Sequence, residues 1–279
     1  MAQPVAYLRE RERAENFPVA LRLLPKAPRR HLTAVYDVAR TIDDLGDESV
    51  EDRPAALRAF RTDLATIWAG GQPAAPVLRR LAPTVAECGL SQRHFVDLVG
   101  ANLRDQVQST YPTYAELLAY CDLSANPVGR IVLEIFGQSD PTNVALSDRI
   151  CTALQIIEHC QDVAEDARAG RCYLPQEDLD RYGVDPGALK VVPTSLELRR
   201  VVAYELDRCA DLLDAGLPLV GRLHGWARLA VAGYLAGGRA AMLAIRRMKC
   251  DVMSISPAPR RLDGLRQGVA VLAGRRVAR

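Results

Sequence analysis

Two groups of carboxylates, Asp43/Asp44/Asp47 and Asp162/Glu165/Asp166, stand more than a hundred residues apart in a chain whose other periodicities are almost all helical. An α-helix repeats every 3.6 residues, so Asp43 and Asp47 leave one face of their helix, and Asp162 and Asp166 one face of theirs. The surrounding segments, VYDVARTIDDLGDE and ALQIIEHCQDVAEDARAG, are apolar enough for the acids to read as continuations of buried stripes. Unpaired buried carboxylates are very unfavourable, so such stripes ask for a cation. A hard divalent ion that also holds a diphosphate is the natural bridge. A solvated helix face is the ordinary meaning of one D-D-x-x-D run; it is the second cluster, in equally apolar company, that favours the metal reading.

Composition narrows the setting. With 279 residues and 49% hydrophobic content, the chain is long enough for one large all-helical domain with a sizeable core. Its 36 basic and 34 acidic residues leave a formal charge of +2, too even a balance to argue for a nucleic-acid partner. Seven scattered cysteines without a C-x-x-C pair point to free thiols and a reducing cytoplasm. The charged N-terminus lacks the apolar core of a signal peptide, and no stretch of about 18–20 residues is apolar enough to span a bilayer. A cytoplasmic protein follows, free or peripheral on the inner membrane face.

Apolar spacing and breakers predict a first helix to about Leu24, a break at Pro25 to Pro28, and a helix from about Arg29 to Gly46 carrying Leu32, Val35, Tyr36, Ala39 and Asp43 on one stripe. Helices follow at about 52–69, 74–88 and 91–108, one capped by Thr113, one opened by Asn126-Pro127, and a long one from about Asn143 to Ala169. Pro175 to Gly187 reads as a loop with a short turn, and helices at about 195–214 and 218–248 close the regular part. The division is a helical domain over 1–255 and a basic tail over 256–279.

Magnesium prefers octahedral oxygen ligation by one or two carboxylates together with substrate phosphates. Ions on two such clusters would neutralise charge as a diphosphate leaves, and the product of that step is a carbocation. Phe17, Tyr36, Tyr120, Phe136, Tyr173 and Tyr234 are candidate cavity walls, each taken alone more simply a core residue. Ala125, Gly129, Gly233, Gly237 and Gly238 would leave space. Arg40, Arg168 and Arg171 flank the clusters, and guanidinium groups bind diphosphate oxygens in bidentate fashion. An ion pair of Arg40 with Asp44 or Asp47 is an equal alternative. His31, His94, His159 and His224 show no zinc-binding spacing, and there is no G-x-S-x-G, P-loop or dinucleotide fingerprint.

At ARTIDDLGDE (39–48), YAELLAYCDLSANPVG (114–129) and LQIIEHCQDVAEDARAGRCYLP (154–175) the chain resembles the squalene/phytoene synthase family, the head-to-head branch of the trans-isoprenyl diphosphate synthases. ENFPVALRLLP, RRHLTAVYDVAR and SANPVGR are most similar to its hopanoid-pathway squalene synthase type, HpnC. The resemblance implies an all-α isoprenoid synthase fold, a single helical bundle around a central cavity, and Mg2+-dependent ionisation of a prenyl diphosphate. It implies that Asp43, Asp44 and Asp47 hold one set of ions and Asp162 and Asp166 the other. Arg40 would touch diphosphate and Tyr36 line its pocket; Gln155, Arg171 and Tyr173 would face the site; Phe17, Ser124, Val128 and Gly129 would line the prenyl channel, with Tyr234 a further substrate contact.

The implied reaction of that type is ionisation of presqualene diphosphate, rearrangement, and capture by water to give hydroxysqualene, after a sister synthase and before an oxidoreductase. Condensation of two prenyl diphosphates, to presqualene diphosphate or phytoene, is the alternative, and a non-catalytic prenyl-diphosphate-binding partner is the alternative of another class. Two departures stand out. Glu158 occupies a position where the family commonly has Asn, and it enters the candidate metal set as a carboxylate, with His159 beside it. Cys250 replaces a tyrosine. No counterpart of the membrane helix of eukaryotic squalene synthases is expected. In the tail, Leu262, Leu265, Val269 and Leu272 recur at helical spacing among Arg260, Arg261, Arg266, Arg275, Arg276 and Arg279, a pattern suited to a membrane surface, to a core cap or to a disordered tail.

Overall fold

A computed structural model describes residues 24–47 and 52–277. The expected first helix, Phe17 within it, lies outside these residues but for its final residue, Leu24. The chain forms two compact units, Met1–Val107 with Pro127–Val144, and Gln108–Asn126 with Ala145–Arg279. Among the described residues there is no strand, only an isolated bridge between Thr110 and Cys172.

The first unit contains α1 (Lys26–Asp47), α2 (Arg53–Ala65), α3 (Pro76–Cys88) and α4 (Gln92–Asp105). After α5 (Tyr114–Ser124), which belongs to the second unit, α6 (Asn126–Ile135) returns to the first beyond its opening residue. Pro28 sits in the first turn of α1, where its missing N–H costs nothing, so the helix begins earlier than the proline pair suggests. Asp52 caps α2 by accepting from Ala55 N at 2.8 Å, and Gly89 ends α3 at φ +65, a left-handed turn that glycine adopts without strain. α1 packs against α2, α3 and α4. Val35, Val38 and Ile42 meet Leu57, Leu64, Leu78, Leu81, Phe95 and Ile131 in one apolar core. Each such side chain contributes roughly 1.5–3 kcal/mol on leaving water. Buried His31 and Thr84 fasten α1 to α3 at 3.0 Å.

The second unit holds α5, most of α7 (Pro141–Gln161), α8 (Val163–Arg168), α9 (Gln176–Arg181), a 3-10 turn (Pro186–Lys190), α10 (Leu196–Gly216), α11 (Pro218–Arg222), α12 (Gly225–Arg247) and α13 (Arg261–Leu272). Two helices expected as continuous are broken. The one predicted through Ala169 stops at Gln161, because Asp162 leaves the helical region (φ −101, ψ 14) and its carbonyl takes the N–H groups of both Glu165 (2.9 Å) and Asp166 (2.8 Å). The one predicted over 218–248 breaks at Leu223 and His224, which are extended, and at Gly225, which has φ +56.

α9 and α10 are tied by a buried charge cage. Arg208 Nη1 donates to Asp178 Oδ2 at 2.6 Å and Glu205 Oε1 at 2.9 Å, and its guanidinium lies 4.0 Å from the Tyr114 ring centroid and 4.3 Å from that of Tyr204. A second guanidinium, that of Arg181, lies 4.0 Å from Asp178 Oδ1. Desolvation pushes fully buried Glu205 up to about 8, against the pull of Arg208 and with the help of Asp178. Its folded value thus lies above its ordinary 4.5, so the stability carried by the protonated acid is complete below that value and lost as pH rises through 8. Glu205→Gln should therefore gain in melting temperature relative to the parent as pH goes from about 5 to about 9; an offset that stays constant across this range would contradict the buried neutral acid.

Candidate active site

α1 turns its acids differently from the expected buried stripe. Leu32, Val35, Val38 and Ile42 take the core, while Tyr36, Arg40, Asp43 and Asp47 form the neighbouring stripe, with Asp43 and Asp47 reached by solvent. The acid that does go inside is Asp44, and it takes Arg40 with it as an ion pair at 3.0 Å. A buried carboxylate without such a partner would be far costlier, which is why the helix rolls this way.

Asp43 Oδ1 accepts from Asn102 Nδ2 of α4 at 3.1 Å, and Gln106 Nε2, one turn further along α4, donates to the carbonyl of Gly46 at 3.1 Å. Although Asp43 touches solvent, protein crowds it closely enough for desolvation to lift its carboxyl to about 7. The Asn102 hydrogen bond and the Arg40 charge oppose that rise, and the Asp47 and Asp44 charges add to it. Gly46 makes room for this contact, since a Cβ there would collide with Asn102 Oδ1.

In the second unit α7 carries Gln155, exposed Glu158 and buried His159, and the break at Asp162 sets the remaining acids on the short α8. Desolvation and then the Glu165 charge raise Asp162, against a hydrogen bond from Ser256. His159 lies between Gln155 Nε2, 3.3 Å from its Nε2, and Asp166 Oδ2, 3.9 Å from its Nδ1. Burial, followed by the nearby Arg171 charge, depresses the imidazole to about 3, so it stays neutral.

Backbone pairing brings an aromatic set to the same place. Cys172 N donates to Ser109 O and Gln176 N to Tyr111 O, both at 2.8 Å, which lays the segment after α8 beside the one before α5. Tyr173 then stacks on His159, with centroids 3.8 Å apart and planes at 8°, and lies 5.4 Å from Tyr120 and 5.6 Å from Tyr111.

The other candidates fall into place by unit. Tyr36 and Arg40 sit on α1 within two turns of Asp43. Val128 packs against the first unit's core and Gly129 is buried beside it on α6. Ser124 ends α5; among the described residues its buried Oγ has no hydrogen-bond partner. Tyr234 lies on α12, its phenol raised by burial and then by Cys151. Cys250 is buried with φ +56. Asn102, Gln106 and Tyr111 were not among the expected site residues; two amides one turn apart in ANLRDQ were the available signal.

Among the described residues, no three His, Cys, Asp or Glu side chains converge as a self-sufficient metal cage. Magnesium does not require one, since it binds through one or two carboxylates plus phosphate oxygens. Accessible Asp43 and Asp47, one turn apart, with a carboxyl raised by crowding and like charge, form an oxygen donor set that suits such an ion.

The profile of the squalene/phytoene synthase family matches residues 11–267. The chain is 37% identical over 220 residues to a hydroxysqualene synthase of Rhodopseudomonas palustris, covering 77% of this chain and 73% of that protein. It is 34% identical over 179 residues to a presqualene diphosphate synthase of Zymomonas mobilis, covering 62% and 60%. The crystal structure of squalene synthase HpnC from Alicyclobacillus acidocaldarius is similar at a TM-score of 0.80 with 39% identity, over 88% of this chain and 93% of that one.

Replacing a helical glycine by alanine ordinarily stabilises by roughly 0.5–1 kcal/mol. Gly46→Ala should do the reverse and destabilise by about 1–3 kcal/mol in urea unfolding, because it displaces Asn102. In a double-mutant cycle with Asn102→Ala the penalty should vanish; a stabilising single substitution would remove Gly46 from the support of Asp43.

Proposed function

Because the chain belongs to the squalene/phytoene synthase family, we propose that it ionises presqualene diphosphate and releases hydroxysqualene. It has the all-α isoprenoid synthase fold and is an isoprenoid synthase of the squalene type. The observation that carries the narrower reading is the similarity to the Rhodopseudomonas palustris hydroxysqualene synthase, 37% identity over 77% of the chain. The carbon–oxygen bond breaks with its electron pair leaving on diphosphate, the cyclopropylcarbinyl cation opens, and water adds and loses a proton.

Asp43, Asp44 and Asp47 would hold one set of Mg2+ ions and Glu158, Asp162 and Asp166 the other. Bound Mg2+ would supply neutralisation of the charge that develops on the departing diphosphate. Arg40 and Arg171 bind diphosphate oxygens, Arg40 leaving its ion pair with Asp44 to do so. Tyr173 and Tyr120 offer ring faces to the cation, each contributing roughly 0.5–2 kcal/mol. Phe17, Tyr36, Ser124, Val128, Gly129, Gln155 and Tyr234 orient the substrate and exclude water from its chains. In this reading a sister synthase supplies the substrate, an oxidoreductase reduces the product, and the enzyme works in the cytoplasm, in peripheral contact with the inner membrane face. The Zymomonas mobilis relative supports a second reading, condensation of two farnesyl diphosphates to presqualene diphosphate.

Purified protein with Mg2+ and no NADPH separates them. Hydroxysqualene from presqualene diphosphate, and nothing from farnesyl diphosphate, is the expected result. Presqualene diphosphate formed from farnesyl diphosphate would establish the second reading, and no product from either would reject both. Asp43→Asn and Asp162→Asn should each lower kcat by about 100-fold or more at an unchanged melting temperature; full turnover in either would remove that residue from the site.

A further inference from the structure

α13 is fastened to α12 at both ends. Near its start Arg247 Nη2 donates to the buried carboxylate of Asp263 at 2.8 Å. Past its end, fully buried Arg239 donates to Arg275 O at 2.7 Å and pairs with Asp214 at 3.2 Å, while Asp214 accepts from Val277 N at 2.8 Å. Between them Val271 is 1% exposed, and Gly268 lies close enough to α12 for an added Cβ to touch Ala236. One face of α13 is therefore built into the second unit.

The opposite face is apolar and open. Leu262, Leu265, Val269 and Leu272 are 66%, 69%, 71% and 41% exposed. At about 100° per residue these four fall within an arc of roughly 80°, and Arg261 and Arg266 lie about 20–40° beyond its two edges. Arg260, Arg275 and Arg276, all exposed, stand at the helix ends. The one acid of the helix, Asp263, is turned inward and engaged by Arg247. Single exposed apolar side chains are common on proteins; three leucines and a valine on one stripe of an anchored helix, framed by arginines, are not.

Charge selects the occupant. Pairing this face with a second copy about a two-fold axis would set arginines against arginines, whereas a plane of lipid phosphates is complementary to all five. No helix of the described residues is long and apolar enough to cross a membrane, and the 12 residues of α13 reach only about 18 Å, so the contact is parallel to the surface. We propose that the exposed face of α13 is the seat of an anionic lipid bilayer, with the leucines entering the acyl boundary and the arginines holding phosphates. This surface deepens the peripheral contact suggested above, and it does not depend on which diphosphate the enzyme consumes.

Flotation of the full chain with vesicles of phosphatidylcholine alone, or mixed with phosphatidylglycerol, tests it. Binding to the mixed vesicles should be at least about ten-fold tighter and should weaken in high salt. Leu265→Glu with Val269→Glu should lose that binding with an unchanged melting temperature, since both positions are exposed. Arg261→Gln and Arg266→Gln should each weaken binding to the mixed vesicles roughly five-fold. Undiminished binding of the Glu variant would overturn the proposal. So would a lipid-free dimer in sedimentation velocity that the Glu variant abolishes.

Discussion

Carboxylates gathered on one turn of helix, with protein crowding them, remain ionised only beside positive charge. At the end of α1 that constraint is visible in three ways. Asp44 enters the interior with Arg40 as its ion pair, Asn102 reaches across from α4 to Asp43, and even so the Asp43 carboxyl is raised to about 7. The same forces act at Asp162, raised by burial and by Glu165. In each cluster neighbouring acids raise one carboxyl, a setting suited to a divalent cation and its phosphate ligand.

The scaffold serves these clusters through local devices rather than through regularity. Glycine at position 46 keeps Asn102 close to Asp43, and the carbonyl of Asp162, shared by two N–H groups, redirects the chain into α8. Paired backbone segments lay Tyr173 against His159 and beside Tyr120 and Tyr111, so these aromatic faces gather at the segment that carries the second acid cluster. For an isoprenoid synthase of the squalene type, a neutral imidazole and stacked phenols are suited to sit near a carbocation without adding charge.

Much of this was legible in the residues. Apolar spacing placed α1 to α7 and α10, and Thr113 and Gly89 marked ends where the chain does turn. The acid clusters and their neighbours Arg40, Gln155 and Tyr173 were read as candidate site residues from helical spacing and motif positions. Periodicity failed where a few backbone angles decide: at Asp162, whose backbone leaves the helix while its neighbours keep the pattern, and at Leu223 to Gly225, where two extended residues and a glycine of positive φ separate α11 from α12. The rotation of α1 was misread because a stripe drawn through Ala39 and Asp43 ignores the cost of burying the acid; the helix turns so that Asp44, ion-paired with Arg40, goes inside while Asp43 and Asp47 stay exposed. Asn102, Gln106 and the Arg208 cage depend on contacts between helices distant in sequence, which spacing along one helix cannot report.

The most direct measurement is Mn2+ uptake by electron paramagnetic resonance in the presence of inorganic pyrophosphate, comparing the parent with variants neutralised at either cluster. If both clusters hold ions on the diphosphate, pyrophosphate should increase the Mn2+ bound by the parent, and neutralising Asp43 or Asp162 should each remove part of that increase. Pyrophosphate-coupled uptake that is undiminished in both variants would contradict a metal role for these carboxylates.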